Sequence, residues 1–201
     1  MTVAVTGSFA SGKSAFVEML GALGAETVSA DEIVHDLLAG DEETISRVVE
    51  RFGKDVVGER GVDRSALGRK VFAEKGALRE LEEMLHPLVS REIDRRIEAS
   101  TADLFVAEIP LLFEGGSSGT FNYTVAVAVP EERRLAWAAQ RGVDEAALQA
   151  IEARQLGQEE KAGRADVVVQ NDGDLDRLRR RAEELKERIS RERGSDGGVQ
   201  P

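Results

Sequence analysis

The chain opens on two alternating kinds of apolar pattern. Val3 to Thr6 is a short unbroken apolar run ending in a glycine-rich loop, as expected of a strand covered on both faces. From Ser14 to Leu23 the apolar positions Phe16, Val17, Leu20 and Leu23 fall at helical spacing, and Gly24 closes the predicted helix. Glu26 to Ser29 predicts a second strand, with Ile33, Val34, Leu37 and Leu38 marking a helix directly after it. A strand–loop–helix–strand unit of about 30 residues is the crossover that builds a parallel sheet.

Residues 42–99 read differently. Ile45, Val48, Val49 and Phe52 repeat helically, as do Leu67, Val71 and Phe72, and then Leu78, Leu81, Leu85, Leu88, Val89, Ile93 and Ile97. No strand of comparable quality interrupts them, so a helical insertion is expected over 41–99. Strand patterns return at Leu104–Ile109, stopped by Pro110, at Thr124–Val129, and at Val167–Val169. Between them lie a flexible Gly115–Gly119 loop and a helical stretch, 131–164, rich in Arg, Gln and Glu and opened by Pro130. Leu175, Leu178, Ala182, Leu185 and Ile189 stripe a closing helix, and the polar, glycine-rich residues 194–201 are expected to form a disordered tail.

Composition narrows the function. The 201 residues are 41% hydrophobic, 32% charged and only 4% aromatic, with no cysteine. This is an ordinary globular balance, with a core of Val, Leu, Ile and Ala. The absence of thiols fits a reducing compartment, and no signal peptide or membrane-length apolar stretch is present, so a cytoplasmic protein without a membrane partner is expected. A net charge of −11 argues against a nucleic-acid partner. Two histidines and no cysteine argue against a transition-metal site built by the protein.

The candidate chemistry begins at Gly7-Ser8-Phe9-Ala10-Ser11-Gly12-Lys13-Ser14. Glycine belongs where the backbone turns sharply and where a side chain would strike phosphate oxygens. Successive N–H groups then face the anion, and the following helix adds its positive end. Gly7, Ala10, Ser11, Gly12, Lys13, Ser14 and Ala15 are the expected triphosphate contacts, with Lys13 on the β and γ phosphates and Ser14 on Mg²⁺. The motif sits between an apolar strand and an apolar-periodic helix, the context it requires. The predicted fold is therefore α/β: a three-layer P-loop NTPase with a parallel five-stranded sheet. Its single domain would span 1–193, with a core of 1–40, 100–130 and 165–193, the insertion over 41–99, and the Arg-rich helical stretch over about 131–164.

Further segments select among nucleotide-binding classes. They are Ser29-Ala30-Asp31-Glu32-Ile33, Phe52-Gly53, Gly61-Val62-Asp63-Arg64-Ser65-Ala66-Leu67, Leu81 to Pro87 with its His86-Pro87 pair, Glu108-Ile109-Pro110-Leu111-Leu112-Phe113-Glu114, and Ala165 to Gly173. In this order, and over Val3 to about Leu185, the chain resembles the dephospho-CoA kinases. The resemblance implies a parallel-sheet core, a helical substrate domain and a mobile lid over about 131–164. It implies transfer of the γ-phosphoryl of ATP, with Mg²⁺, to the ribose 3′-hydroxyl of dephospho-CoA by a monomer or weak homo-oligomer. Asp31 matches the family aspartate that could accept the hydroxyl proton, orient the hydroxyl or position Mg²⁺, and it could also cap a helix. Arg141 matches an arginine placed over the transferring phosphate, Gln155 matches too, and Ile151 stands where the family often has another arginine. Asn171 and Gly173 fall at the adenine. Arg64, His86 and the Pro110–Phe113 wall fall on the acceptor side, and Glu108 stands where many relatives have Asp. A nucleoside or nucleotide kinase of the same design is the nearest alternative. A nucleotide-sensing switch is the next, although no Asn-Lys-x-Asp guanine-reading segment is present.

Overall fold

The computed structural model describes residues 1–196. In chain order its elements are β1 (Thr2–Thr6), α1 (Lys13–Ala22), β2 (Glu26–Ser29), α2 (Ala30–Gly40), α3 (Glu42–Phe52), β3 (Val57–Gly58), β4 (Gly61–Val62), α4 (Arg64–Ala73) and α5 (Ala77–Ala99). Then come β5 (Phe105–Glu108), β6 (Tyr123–Ala128), α6 (Glu131–Gln140), α7 (Glu145–Glu152), α8 (Gln158–Arg164), β7 (Val167–Gln170) and α9 (Leu175–Asp196). Internal contacts divide the chain into two units, 1–28 with everything from 97 onward, and 29–96.

The first unit is built on a five-stranded sheet of order β2-β5-β1-β6-β7. The pairs are parallel, with Val5 opposite Glu108 on β5 and opposite Val125 on β6, and Val127 opposite Val169 on β7. Parallel pairing brings the carboxyl ends of β1, β5, β6 and β7 to one edge, where open α/β sheets bind ligands. The apolar runs are explained by helical cover. Phe16 and Leu20 of α1 join Leu178, Ala182 and Leu185 of α9 in one cluster with Val3, Val5, Val106 and Val125. Each large side chain buried there contributes about 1.5–3 kcal/mol.

β7 is locked in register at its entry. The Asp166 carboxylate accepts hydrogen bonds from the Thr124 N–H (2.7 Å) and hydroxyl (2.6 Å), while the Asp166 N–H donates back to the Thr124 oxygen (3.1 Å). The Thr124 hydroxyl, and after it the Thr124 N–H, holds the Asp166 carboxyl below the usual carboxylate range. A depressed folded-state pKa gives stability that is present above the unfolded value and is lost as pH falls through the folded one. Asp166→Asn is therefore expected to cost only about 1 kcal/mol at neutral pH, because solvent screens this exposed group. Urea midpoints of the two proteins should begin to converge as pH falls below about 4, and meet only below the depressed folded-state value. A gap that persists at low pH would show that the charge is not the source.

The second unit is helical, with a core cluster of Leu38, Val48, Phe52, Val62, Leu67, Val71, Leu81 and Leu85. Its helices start where the sequence supplies caps. Asp41 accepts from the Thr44 N–H at 2.8 Å to begin α3, and Asp63 accepts from Ser65 and Ala66 to begin α4. Leu38 packs into this core, which explains why α2, expected with residues 1–40, groups with the helical unit instead. The stretch is also not purely helical: Val57 pairs with Val62 and Gly58 with Gly61 in a two-strand antiparallel hairpin. Strands this short carry no periodic signal. At the other end, α9 continues through Asp196, past the expected start of the disordered tail at 194. Residues 197–201 lie outside the described residues. Among the described residues no helix is long and apolar enough to cross a membrane.

Candidate active site

The glycine-rich loop leaves β1 and enters α1 with no side-chain cap and no acidic residue in the first helical turn. The first N–H groups of a helix have no partner within it, so this end of α1 offers donors and a positive field to an anion. The loop geometry leaves no room for larger residues at two positions. Gly7 has φ +152° and a Cβ there would lie 2.5 Å from the Val127 carbonyl oxygen. Gly12 has φ +88° and a Cβ there would lie 2.3 Å from Asn171 Nδ2. The Ser11 N–H closes the turn onto the Ser8 carbonyl (3.2 Å), and Lys13 Nζ reaches the same oxygen at 3.0 Å. Ser11 is wholly buried, so its side chain contributes to the interior of the loop.

Directly beside Lys13, the Ser14 hydroxyl donates to Glu108 Oε1 at 2.9 Å. Glu108 ends β5, next to β1, so the parallel register delivers its carboxylate to the loop. A hydroxyl and a carboxylate form the oxygen-only donor set that suits a hard cation such as Mg²⁺. Among the described residues no cluster of three or more His, Asp or Glu could cage a metal alone. The donor set therefore fits an ion that takes its remaining ligands from substrate phosphates and water.

A cavity of about 380 Å³ adjoins the loop, lined by Gly12, Ala15, Trp137, Arg141, Asn171 and Gly173, among others. Asn171 is 5% exposed and its side-chain amide donates to the Ser11 carbonyl at 2.9 Å. It thus braces the loop's backbone as well as lining the cavity. Arg141 caps the end of α6, and its guanidinium lies 6.0 Å from the centre of the Phe9 ring. Phe9 and Ala10 pack with Trp137, Ala138, Val143 and Leu148, so α6 and α7 rest on the loop itself. Trp137, one helical turn before Arg141, is a cavity residue that sequence reasoning passed over. Its only signal was being the sole tryptophan, beside a matched arginine.

The neighbouring cations are committed to internal partners. Arg133 donates to the Gly173 carbonyl, and Arg134 pairs with Glu152. Lys161 of α8 is wholly buried. Its Nζ donates to the Pro110 carbonyl (2.5 Å) and lies 3.0 Å from Glu114 Oε1. Glu114 is largely buried and also accepts from the Leu156 N–H at 2.7 Å. Of the expected Pro110–Phe113 wall, Leu112 is wholly buried and faces the interior, because the turns after β5 fold it under. Pro110, Leu111 and Phe113 keep partial exposure.

The remaining candidates lie in the second unit. Asp31 is exposed in the first turn of α2, at its second helical position, so the N-cap itself is Ser29. One turn further along the same face stands His35, whose Nδ1 is 3.4 Å from Arg64 Nη1. His86 is exposed within α5, which runs unbroken through Pro87.

Comparison with known proteins agrees with this arrangement. A family model for dephospho-CoA kinase matches residues 1–177. The chain is 38% identical over 186 residues to the dephospho-CoA kinase of Frankia casuarinae, covering 92% of this chain and 81% of that protein. It is 37% identical over 193 residues to that of Protochlamydia amoebophila, covering 93% and 95%. The solved dephospho-CoA kinase of Campylobacter jejuni superposes with a TM-score of 0.71 at 29% identity, covering 96% of this chain and 98% of that one. With a phosphate loop opening an uncapped helix on a parallel sheet, and with near full-length similarity of this kind, the chain belongs to the dephospho-CoA kinase family.

Proposed function

We propose that this protein transfers the γ-phosphoryl group of ATP to the ribose 3′-hydroxyl of dephospho-CoA, forming coenzyme A. The observation that carries the reading is the loop itself: an uncapped α1 start, Lys13 folded over the Ser8 carbonyl, and Ser14 hydrogen-bonded to Glu108.

The triphosphate lies along the amides that open α1, with its adenine in the cavity beside Trp137 and Asn171. Ser14 and Glu108 would hold Mg²⁺, which neutralises phosphate charge when bound. Lys13 stabilises the charge that spreads over the γ-phosphoryl oxygens as the bond to ADP loosens, and Arg141 joins it from the end of α6. Asp31, two residues beyond β2, receives the acceptor hydroxyl and takes its proton as the 3′-oxygen attacks phosphorus in line. The remaining work is positioning, because the phosphoryl group needs little covalent help. Arg64 and His86 hold the acceptor on the helical side, and Pro110, Leu111 and Phe113 form its apolar wall.

The test is an acceptor panel with ATP as donor: dephospho-CoA, adenosine and the common nucleoside monophosphates. Turnover is expected with dephospho-CoA and marginal with the others. A nucleoside monophosphate turned over while dephospho-CoA stays inert would move the chain to the nucleotide kinases. GTP preference with no acceptor at all would revive the switch.

A further inference from the structure

We infer that Lys161 is a positioning residue for the acceptor side of the reaction, acting through the Pro110 carbonyl and Glu114. The inference rests on the reading of Pro110, Leu111 and Phe113 as the acceptor wall. A lysine with no exposed surface at all is rare, because a buried ammonium is costly unless it is paired and hydrogen-bonded. Here both conditions are met, by Glu114 at 3.0 Å and by the Pro110 carbonyl at 2.5 Å. Packing alone would be served as well by an apolar side chain of similar volume, so the charge points to a geometric task.

That task is visible in what converges on one oxygen. The Pro110 carbonyl accepts from Lys161 of α8 and from the hydroxyl of Thr6, the last residue of β1 before Gly7. It therefore ties the wall to the strand that carries the phosphate loop. Glu114, at the far end of the same segment, accepts from Leu156, while Gln158 exchanges hydrogen bonds with both the N–H (2.9 Å) and the carbonyl (3.0 Å) of Val129. The start of α8 is thus fixed to the sheet's carboxyl edge, and Lys161 sets the wall against it. A displacement of about 1 Å between acceptor and donor can cost on the order of a hundredfold in rate.

Lys161→Met alone leaves Glu114 charged in the interior and is expected to unfold readily, so the test is the double variant Lys161→Met/Glu114→Gln. It removes both charges, keeps an acceptor for the Leu156 N–H, and leaves Thr6 on the Pro110 carbonyl. The expected result is a melting temperature near that of the parent, an unchanged KM for ATP, and kcat/KM for dephospho-CoA lowered about tenfold or more. A double variant with parental acceptor kinetics overturns the proposal. So does an equal loss toward ATP and acceptor accompanied by a lower melting temperature, since that is what a purely structural role gives. Phe113→Ala reads the wall separately. An unchanged acceptor KM there removes the wall and this proposal with it. A raised KM there beside an unmoved double variant removes only the role of Lys161.

Discussion

Lys13→Ala is expected to lower kcat/KM about a hundred- to a thousandfold, equivalent to roughly 3–4 kcal/mol of transition-state stabilisation. The size follows from where the ammonium stands. Lys13 is 8% exposed, so its charge acts with little intervening water, and charge interactions strengthen as the local dielectric falls. Its Nζ is already aimed across the loop, 3.0 Å from the Ser8 carbonyl, and spends little reorganisation in meeting a phosphate. Folding should survive the change, because α1 is held by Phe16, Val17 and Leu20 rather than by its first residue. ATP titration followed through Trp137, the sole tryptophan and a wall of the cavity beside the loop, should show weakened binding. Lys13→Arg should not restore activity, since a planar fork replaces a compact point charge in a closed slot. Parental kcat/KM in a folded Lys13→Ala protein would remove the phosphate loop from the mechanism.

What the sequence made legible, and what it hid, divides along chain distance. The loop was readable because its glycines, lysine and serine are consecutive and its flanking strand and helix have unambiguous periods. Four strands of the sheet, β1, β5, β6 and β7, were readable because apolar runs bounded by Gly and Pro have few other uses. The Ser14–Glu108 hydrogen bond was not, since its partners are 94 residues apart and only the β1–β5 register joins them. Lys161 was hidden for a different reason. It sits in a short helix with Glu159, Glu160 and Arg164, and helical pattern alone assigns such a residue to solvent. Only tertiary structure shows that its neighbour in space is a proline carbonyl. Leu112 carries the converse lesson: an apolar residue in a segment matched to a ligand wall was claimed by the core. The grouping of α2 turned on Leu38, whose partners Val48 and Val62 lie beyond the boundary drawn from pattern.

Asp31→Asn is expected to lower kcat about a hundredfold or more, within the range for loss of a positioned acid–base group. KM for ATP should be nearly unchanged, because the phosphate loop is untouched. Stability is the control that separates chemistry from structure. Asp31 is exposed and makes no N-cap, so its structural contribution is the attraction between a first-turn carboxylate and the helix N-terminus, about 0.3–1 kcal/mol. A loss that small cannot account for a hundredfold fall in rate at a temperature where both proteins are folded. The three roles open to this carboxylate also respond differently. If it takes the proton, the amide is inert at every Mg²⁺ concentration, and the fall in kcat is relieved only as rising pH supplies alkoxide from the acceptor. If it places the ion, excess Mg²⁺ restores part of the rate. If it merely orients the hydroxyl, the amide oxygen still accepts that hydrogen bond and the loss shrinks to a few-fold. Near-parental turnover by the asparagine variant would leave the reaction to charge neutralisation at the phosphate loop, with no chemical part for Asp31.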